Sequence, residues 1–218
     1  MPNVLRMSGD LVPRWIPRQG FYAQGWPADL PWRARWRSAW LECRLRLRLA
    51  RVGFWRGLHG TGVIAVGRLY ASVIRGNGTI EHLGLLSTRV VTDAGVTFLR
   101  DDWNSGSNDI NLMNFHACGT GTGAEAVGDT GMGTESTTAL NPDSVRATGT
   151  RSVPASNQFR SVGTVTFDAS AAITEHGLMS TSATGTGTLW DRSVFSAINV
   201  VSADSIQFTY TVTLSSGG

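Results

Sequence analysis

The chain contains no lysine: all 19 basic residues among its 218 are arginine. A GC-rich coding sequence accounts for this bias without invoking phosphate recognition. Cysteine is almost as scarce. Cys43 and Cys118 lie in segments of very different composition, which argues against a disulfide framework and a four-ligand zinc site, and fits a reducing or indifferent compartment. No apolar run approaches the roughly 18 residues of a membrane span, so no transmembrane helix is expected. A secretory signal is not expected either, because no apolar core and small-residue cleavage site follow the N-terminal charges. Walker, nucleophile-elbow and His-Glu-x-x-His motifs are all missing.

What is present is unevenly distributed. Residues 1–60 hold eleven arginines against Asp10, Asp29 and Glu42, a charge of +8, whereas the remaining residues sum to −5. Six of the eight tryptophans (Trp15, Trp26, Trp32, Trp36, Trp40 and Trp55) also fall in this first segment. The high isoelectric point thus belongs to the N-terminal part alone. Five prolines up to Pro31 exclude a long helix before about residue 32. Beyond them, Arg33 to Trp55 suits a basic helix with Trp36, Trp40 and Leu47 on one side, while Arg44-Leu-Arg-Leu-Arg-Leu alternates as a strand does. Three readings stay open: a membrane-surface arm, a nucleic-acid-binding arm, or an upstream extension of the reading frame with Val63 or Val66 as the alternative start. The domain expectation is therefore an Arg/Trp-rich arm over 1–60, non-globular or nearly so, and one folded domain over 62–218.

The clearest periodicity is at the C-terminus. In Ser205 to Ser215, Ile206, Phe208, Tyr210, Val212 and Leu214 alternate with Gln207, Thr209, Thr211 and Thr213, as expected for a strand with one buried and one solvated face. Upstream, Val63 to Ile74 is a helix or strand, Gly76-Asn77-Gly78 a turn, and Ile80 to Val91 one or two strands. Thr92-Asp93 is an N-cap pair, and Val96, Leu99 and Trp103 follow at helical spacing, which predicts a short helix over 93–103. Leu112 to Cys118, Val145 to Ser152, Gln158 to Phe167, Ile173 to Ser180, Gly187 to Ser193 and Val194 to Val201 are further strands. Gly119 to Gly133, rich in Gly, Thr and acids, reads as a surface loop that buries little. The expected fold is all-β: a two-sheet antiparallel sandwich, jelly-roll or immunoglobulin-like, with one short helix.

Candidate chemistry is sparse. Of the four histidines (His59, His82, His116, His176), two directly follow glutamates, Glu81 and Glu175. Neighbours on a strand face opposite ways, so neither Glu-His pair forms an acid/base unit. A zinc site from His82, His116 and His176 has no ligand spacing behind it. Gly119-Thr-Gly-Thr-Gly123 lacks the lysine and strand-to-helix context of a phosphate cradle. Asp191 and Arg192 beside Trp190 are read as a surface ion pair or a turn, or alternatively as a glycan-binding Trp with a flanking carboxylate. No catalytic, cofactor-binding or metal-binding residue is expected.

Several ordered strings carry a family resemblance. Phe115-His-Ala-Cys-Gly-Thr-Gly-Thr-Gly-Ala-Glu-Ala-Val-Gly-Asp-Thr130, Ala172-Ile-Thr-Glu-His-Gly-Leu178, Leu189-Trp-Asp-Arg-Ser-Val-Phe-Ser-Ala-Ile-Asn-Val200 and Asp204-Ser-Ile-Gln-Phe-Thr-Tyr210 resemble a group of small tailed-bacteriophage virion proteins. Glu81 to Gly95 looks like the N-terminal part of the same group, so the likeness spans about 79–218. It implies a non-enzymatic structural protein, a capsid decoration or cement protein on the head lattice, homo-oligomeric, with the major capsid protein or other virion proteins as partners. The alternative it leaves is a tail or fibre component touching the host, with Trp190 or Trp103 as a glycan platform. Nucleic acid is not an expected partner.

Overall fold

A computed structural model describes residues 30–59, 63–88, 91–105, 109–136 and 146–216. Among these residues nine strands form two antiparallel sheets, accompanied by two α-helices. In chain order these are α1 (Trp32–His59), β1 (Val63–Ile74), β2 (Ile80–Ser87), α2 (Asp93–Ser105), β3 (Phe115–Gly119), β4 (Ala147–Thr148), β5 (Thr150–Ser152), β6 (Gln158–Thr166), β7 (Ala171–Met179), β8 (Leu189–Val200) and β9 (Ser205–Ser216). One sheet has the order β2-β1-β9-β6-β5 and the other β4-β3-β7-β8. This is the expected all-β sandwich.

β9 occupies the centre of the five-stranded sheet, pairing with β1 along its whole length and with β6 on its other side. Ile206, Phe208, Tyr210 and Val212 are buried between the sheets, at roughly 1.5 to 3 kcal/mol of transfer free energy per large side chain. Leu214, at 47% exposed, falls outside the expected inward set because the strand runs past the edge of the core there. The opposite face departs further from expectation. Thr209 and Thr211 are buried rather than solvated, flanked on that face by Tyr70 and Arg68 of β1.

The Gly76-Asn77-Gly78 turn closes the β1–β2 hairpin, with Gly78 at φ 83° and the Thr79 N–H donating to Asn77 Oδ1. Buried Asp204, in the β8–β9 turn, accepts from the Gly76 and Val201 N–H groups and from Arg75, so this turn is bound to the hairpin. Thr92 caps α2 as its sequence implies, accepting from the Gly95 N–H while its own hydroxyl donates to Leu189 O. The apolar face of α2 is only in part the expected one: Val96 and Trp103 are exposed, and the helix packs through Gly95, Phe98 and the expected Leu99.

Three strand expectations change. Residues 110–112 form a 3-10 turn ahead of β3. Val145 to Ser152 splits at Gly149 into β4 and β5, which belong to different sheets, so the chain crosses the sandwich there. The two strands expected over 187–201 are the single β8.

Of the Arg/Trp-rich segment, α1 is described and lies over the outer face of the five-stranded sheet at β2. Leu30, Ala34, Ser38 and Leu45 are buried, and Ser38 Oγ accepts from the Leu85 N–H. Arg37 donates to Leu83 O, and Glu42 pairs with Arg68 at 2.8 Å. The helical alternative is the one realised. Its tryptophan side faces away from the sheet: Trp32, Trp36, Trp40 and Leu47 are exposed.

Candidate functional site

Two polar constructions carry most of the buried polar groups in the four-stranded sheet. The first is on its outer face. β7 and β8 pair so that Glu175 and Arg192 emerge there, where Arg192 Nε donates to Glu175 Oε2 at 2.8 Å. Glu175 is fully buried. Its carboxylate also accepts the backbone N–H groups of Gly121, Gly133 and Thr134 at 3.0, 3.0 and 2.6 Å. Arg192 in turn reaches Asp129 at 3.1 Å and Gly123 O at 3.2 Å. One ion pair thus holds both ends and the middle of the glycine-rich stretch 119–136.

The electrostatics follow from that geometry. Burial alone would raise the Glu175 pKa, but the Thr134 and Gly133 N–H groups and the Arg192 guanidinium outweigh it and hold the carboxyl below its usual range. Glycine is required at 121 by close approach, since any Cβ there would overlap the Glu175 carboxylate. By contrast, a Cβ at Gly123, Gly128 or Gly131 meets nothing within 4 Å. Glu135 and Arg146 add a second anchor at 2.6 Å, with Arg146 also donating to Thr181 O and Thr186 O. The stretch is a surface loop, as expected, with most of its residues exposed. What the composition does not show is that its backbone is bound from beneath.

The second construction lies between the sheets. His116 of β3 and His176 of β7 are both fully buried, with His116 Nδ1 2.9 Å from His176 Nε2. His116 Nε2 is 2.8 Å from Ser161 Oγ of β6, in the other sheet. Ser161 donates to Asn114 Oδ1 at 2.7 Å, and Asn114 Nδ2 donates to Gly149 O. Because the Ser161 proton goes to Asn114, His116 Nε2–H must be the donor to Ser161, and His116 Nδ1 then accepts from His176 Nε2–H. The chain runs one way, from His176 to the crossover at Gly149. β6 makes room with small inward residues; a Cβ on Gly163 would collide with the His116 ring. His176 also packs at a tilt of 42° against Phe208, ring centres 4.6 Å apart.

A serine 2.8 Å from a histidine invites comparison with an activated nucleophile. The proton direction is opposite to that of a base taking the serine proton, and Ser161 is fully buried. Desolvation pushes the His116 pKa down to about 3, and that of His176 well below 6.5 by burial and by its histidine neighbour. Both rings are neutral struts joining the two sheets. Burial likewise pushes the Cys118 thiol up to about 12, leaving it inert.

The sequence-level candidates therefore separate. Glu175 and His176 do face opposite ways, one to the loop and one to the core. Glu81 pairs with Arg75, and His82 bonds Ser72 on the hairpin, away from the buried histidine pair. Among the described residues no group of three or more His, Cys, Asp or Glu is placed to hold a metal ion. The side chain of His59 lies outside the described set. Arg192 is not in a surface ion pair with Asp191: it is buried and bound to Glu175 and Asp129, while Asp191 turns inward and accepts from Ser193 Oγ. Trp190 is only 7% exposed, packed in the core beside α2, and offers no ligand platform. The Glu175–Arg192 clasp itself was missed. Its one legible signal was a Glu and an Arg on adjacent predicted strands, next to a loop too glycine-rich to hold itself.

Comparison of the chain with protein families, with curated proteins and with solved structures finds no match. Among the described residues no helix is long and apolar enough to cross a membrane.

Proposed function

We propose that this chain is a non-enzymatic structural protein of a tailed-phage virion, a capsid decoration protein that docks on the head lattice through the clasped loop 119–136. The observation that carries the reading is spatial. The strings resembling phage virion proteins at 115–130, 172–178 and 189–200 supply β3 with the loop, β7 and β8, the pieces that the Glu175–Arg192 pair joins. A loop held from beneath and exposed above is pre-organised, so docking loses little conformational entropy. Many weak copies on a repeating lattice then bind through multivalency, and homo-oligomers on its symmetry axes add to it. The neutral, inaccessible histidine struts support a structural rather than a catalytic use of the core.

The test adds purified protein to undecorated heads and counts bound copies by mass. Wild type is expected to saturate the lattice, and a triple charge insertion at exposed Gly123, Gly128 and Gly131 to abolish binding without altering the melt. Wild type that ignores heads but binds tails or host cells removes this reading and favours the fibre alternative. For that alternative Trp103, at 78% exposed, is the remaining platform.

A further inference from the structure

The outward side of α1 is built as a contact surface. Trp32, Trp36 and Trp40 follow at steps of four and Leu47 seven residues later, so they form one stripe along the helix, opposite the Ala34, Ser38 and Leu45 face that meets the sheet. Their exposures are 66%, 50%, 57% and 61%. Single exposed apolar residues need no explanation, but a continuous row of three tryptophans and a leucine does. Arginines border the row: the Arg33 guanidinium lies over the Trp32 ring at 5.5 Å and that of Arg44 over Trp40 at 4.6 Å. The helix as a whole has eight arginines against one acid, Glu42, and that acid is already paired with Arg68.

The charge selects the occupant. A second copy of the helix would bring like-charged arginine rows together, so self-association through this face is opposed. Single-stranded nucleic acid is held in basic grooves, whereas this row stands on a convex helix. A double-helical groove is read by polar side chains, which a tryptophan and leucine stripe does not provide. An anionic bilayer surface meets both halves of the pattern. Tryptophan seats at the headgroup level, leucine enters the acyl boundary, and flanking arginines meet the lipid phosphates while their stems lie along the apolar row. We propose that α1 is an interfacial helix that lays the Trp32–Leu47 stripe in the surface of an anionic membrane, with the β-sandwich held on its other side. This inference stands independently of the virion reading.

The experiment is co-flotation of the full-length protein with vesicles of phosphatidylcholine alone, or of phosphatidylcholine mixed with phosphatidylglycerol. The expected result is binding to the anionic vesicles that weakens with added salt, with little binding to phosphatidylcholine. Trp36→Ala with Trp40→Ala should reduce partitioning about tenfold or more, with an unchanged thermal melt, because both side chains are exposed on the helix side opposite the sheet. Arg33→Gln with Arg44→Gln should reduce it about tenfold on anionic vesicles only; this pair carries the test if the tryptophan variant loses its cooperative melt. The proposal is overturned by absence of anionic binding, by binding that ignores both double variants, or by tryptophan-dependent capture of a single-stranded oligonucleotide with no capture by vesicles. A dimer that the tryptophan variant converts to monomer, without vesicle binding, would also overturn it.

Discussion

Both sheets have an outer face to cover, and the molecule covers them by opposite means. On the five-stranded sheet, α1 with the preceding Leu30 buries Leu30, Ala34 and Leu45 and adds a few separate polar contacts, such as Ser38 to the Leu85 N–H. On the four-stranded sheet, a glycine-rich loop that packs one large apolar side chain, Met132, on the sheet is held mainly by one buried carboxylate that accepts three backbone N–H groups and an arginine. Apolar cover is roughly additive, each side chain contributing by its own area. A buried ionic clasp is all-or-none, because loss of one partner strands the others without water. The difference teaches where this protein is tolerant and where it is brittle.

The largest expected effect breaks the brittle side. Glu175→Ala should lower stability by about 3 to 5 kcal/mol, since it removes the buried carboxylate partner of Arg192 and leaves the buried Gly121 N–H and the part-buried Gly133 and Thr134 N–H groups without their acceptor. Denaturant unfolding of wild type and variant measures it. Acid separates the clasp from the struts. His116 and His176 are held neutral in the fold, His116 down to about 3, whereas unfolded histidines take protons near 6.5. In that window the unfolded chain binds more protons, so stability must fall as pH falls, by about 1.4 kcal/mol per unit for each histidine. Glu175, with its folded pKa depressed, contributes stability that is present above its ordinary 4.5 and lost as pH falls through the folded value. Melts should therefore decline first below about pH 6.5 and again in stronger acid. His176→Phe should about halve the slope of the first stage and leave the second unchanged.

Smaller effects sharpen the contrast within each cover. Gly121→Ala should cost about 1 to 3 kcal/mol by driving the loop off the Glu175 carboxylate, whereas Gly123→Ala, two residues away in open space, should stay within about 0.5 kcal/mol. On the helical side, Ser38→Ala should cost about 1 kcal/mol through the lost Leu85 N–H acceptor. Thermal melts of the three variants, run side by side, check the ranking.

The framework was legible where period and local chemistry agree. The inward set Ile206, Phe208, Tyr210 and Val212 of β9, the Gly76-Asn77-Gly78 turn and the Thr92 cap each act within a few residues, and each stands in the structure as expected, although the threonine face of β9 is buried too. The clasp was not legible because Glu175 and Arg192 become neighbours only through the pairing of β7 with β8, whose register is interrupted by bulges. The histidine chain depends on Ser161 and Gly163 being small and inward on β6, a choice that composition alone does not reveal. For α1, apolar residues on two opposite sides gave no single face to follow, and the tryptophan side attracted the expectation although the Ala34 and Leu45 side does the packing. Trp190 followed the same logic in reverse: its size suggested a platform, and the core used it as filling.

The central claim is that a buried glutamate holds an otherwise exposed loop in one conformation. Amide hydrogen exchange at Gly121, Gly133 and Thr134, measured in wild type and Glu175→Gln, tests it most directly. The account predicts that these three amides exchange as slowly as those of neighbouring β7 in wild type and lose that protection in Glu175→Gln, while amides of β9 keep theirs. Exchange at the three positions as fast in wild type as at Gly123 and Gly131, or protection that survives the substitution, would contradict it.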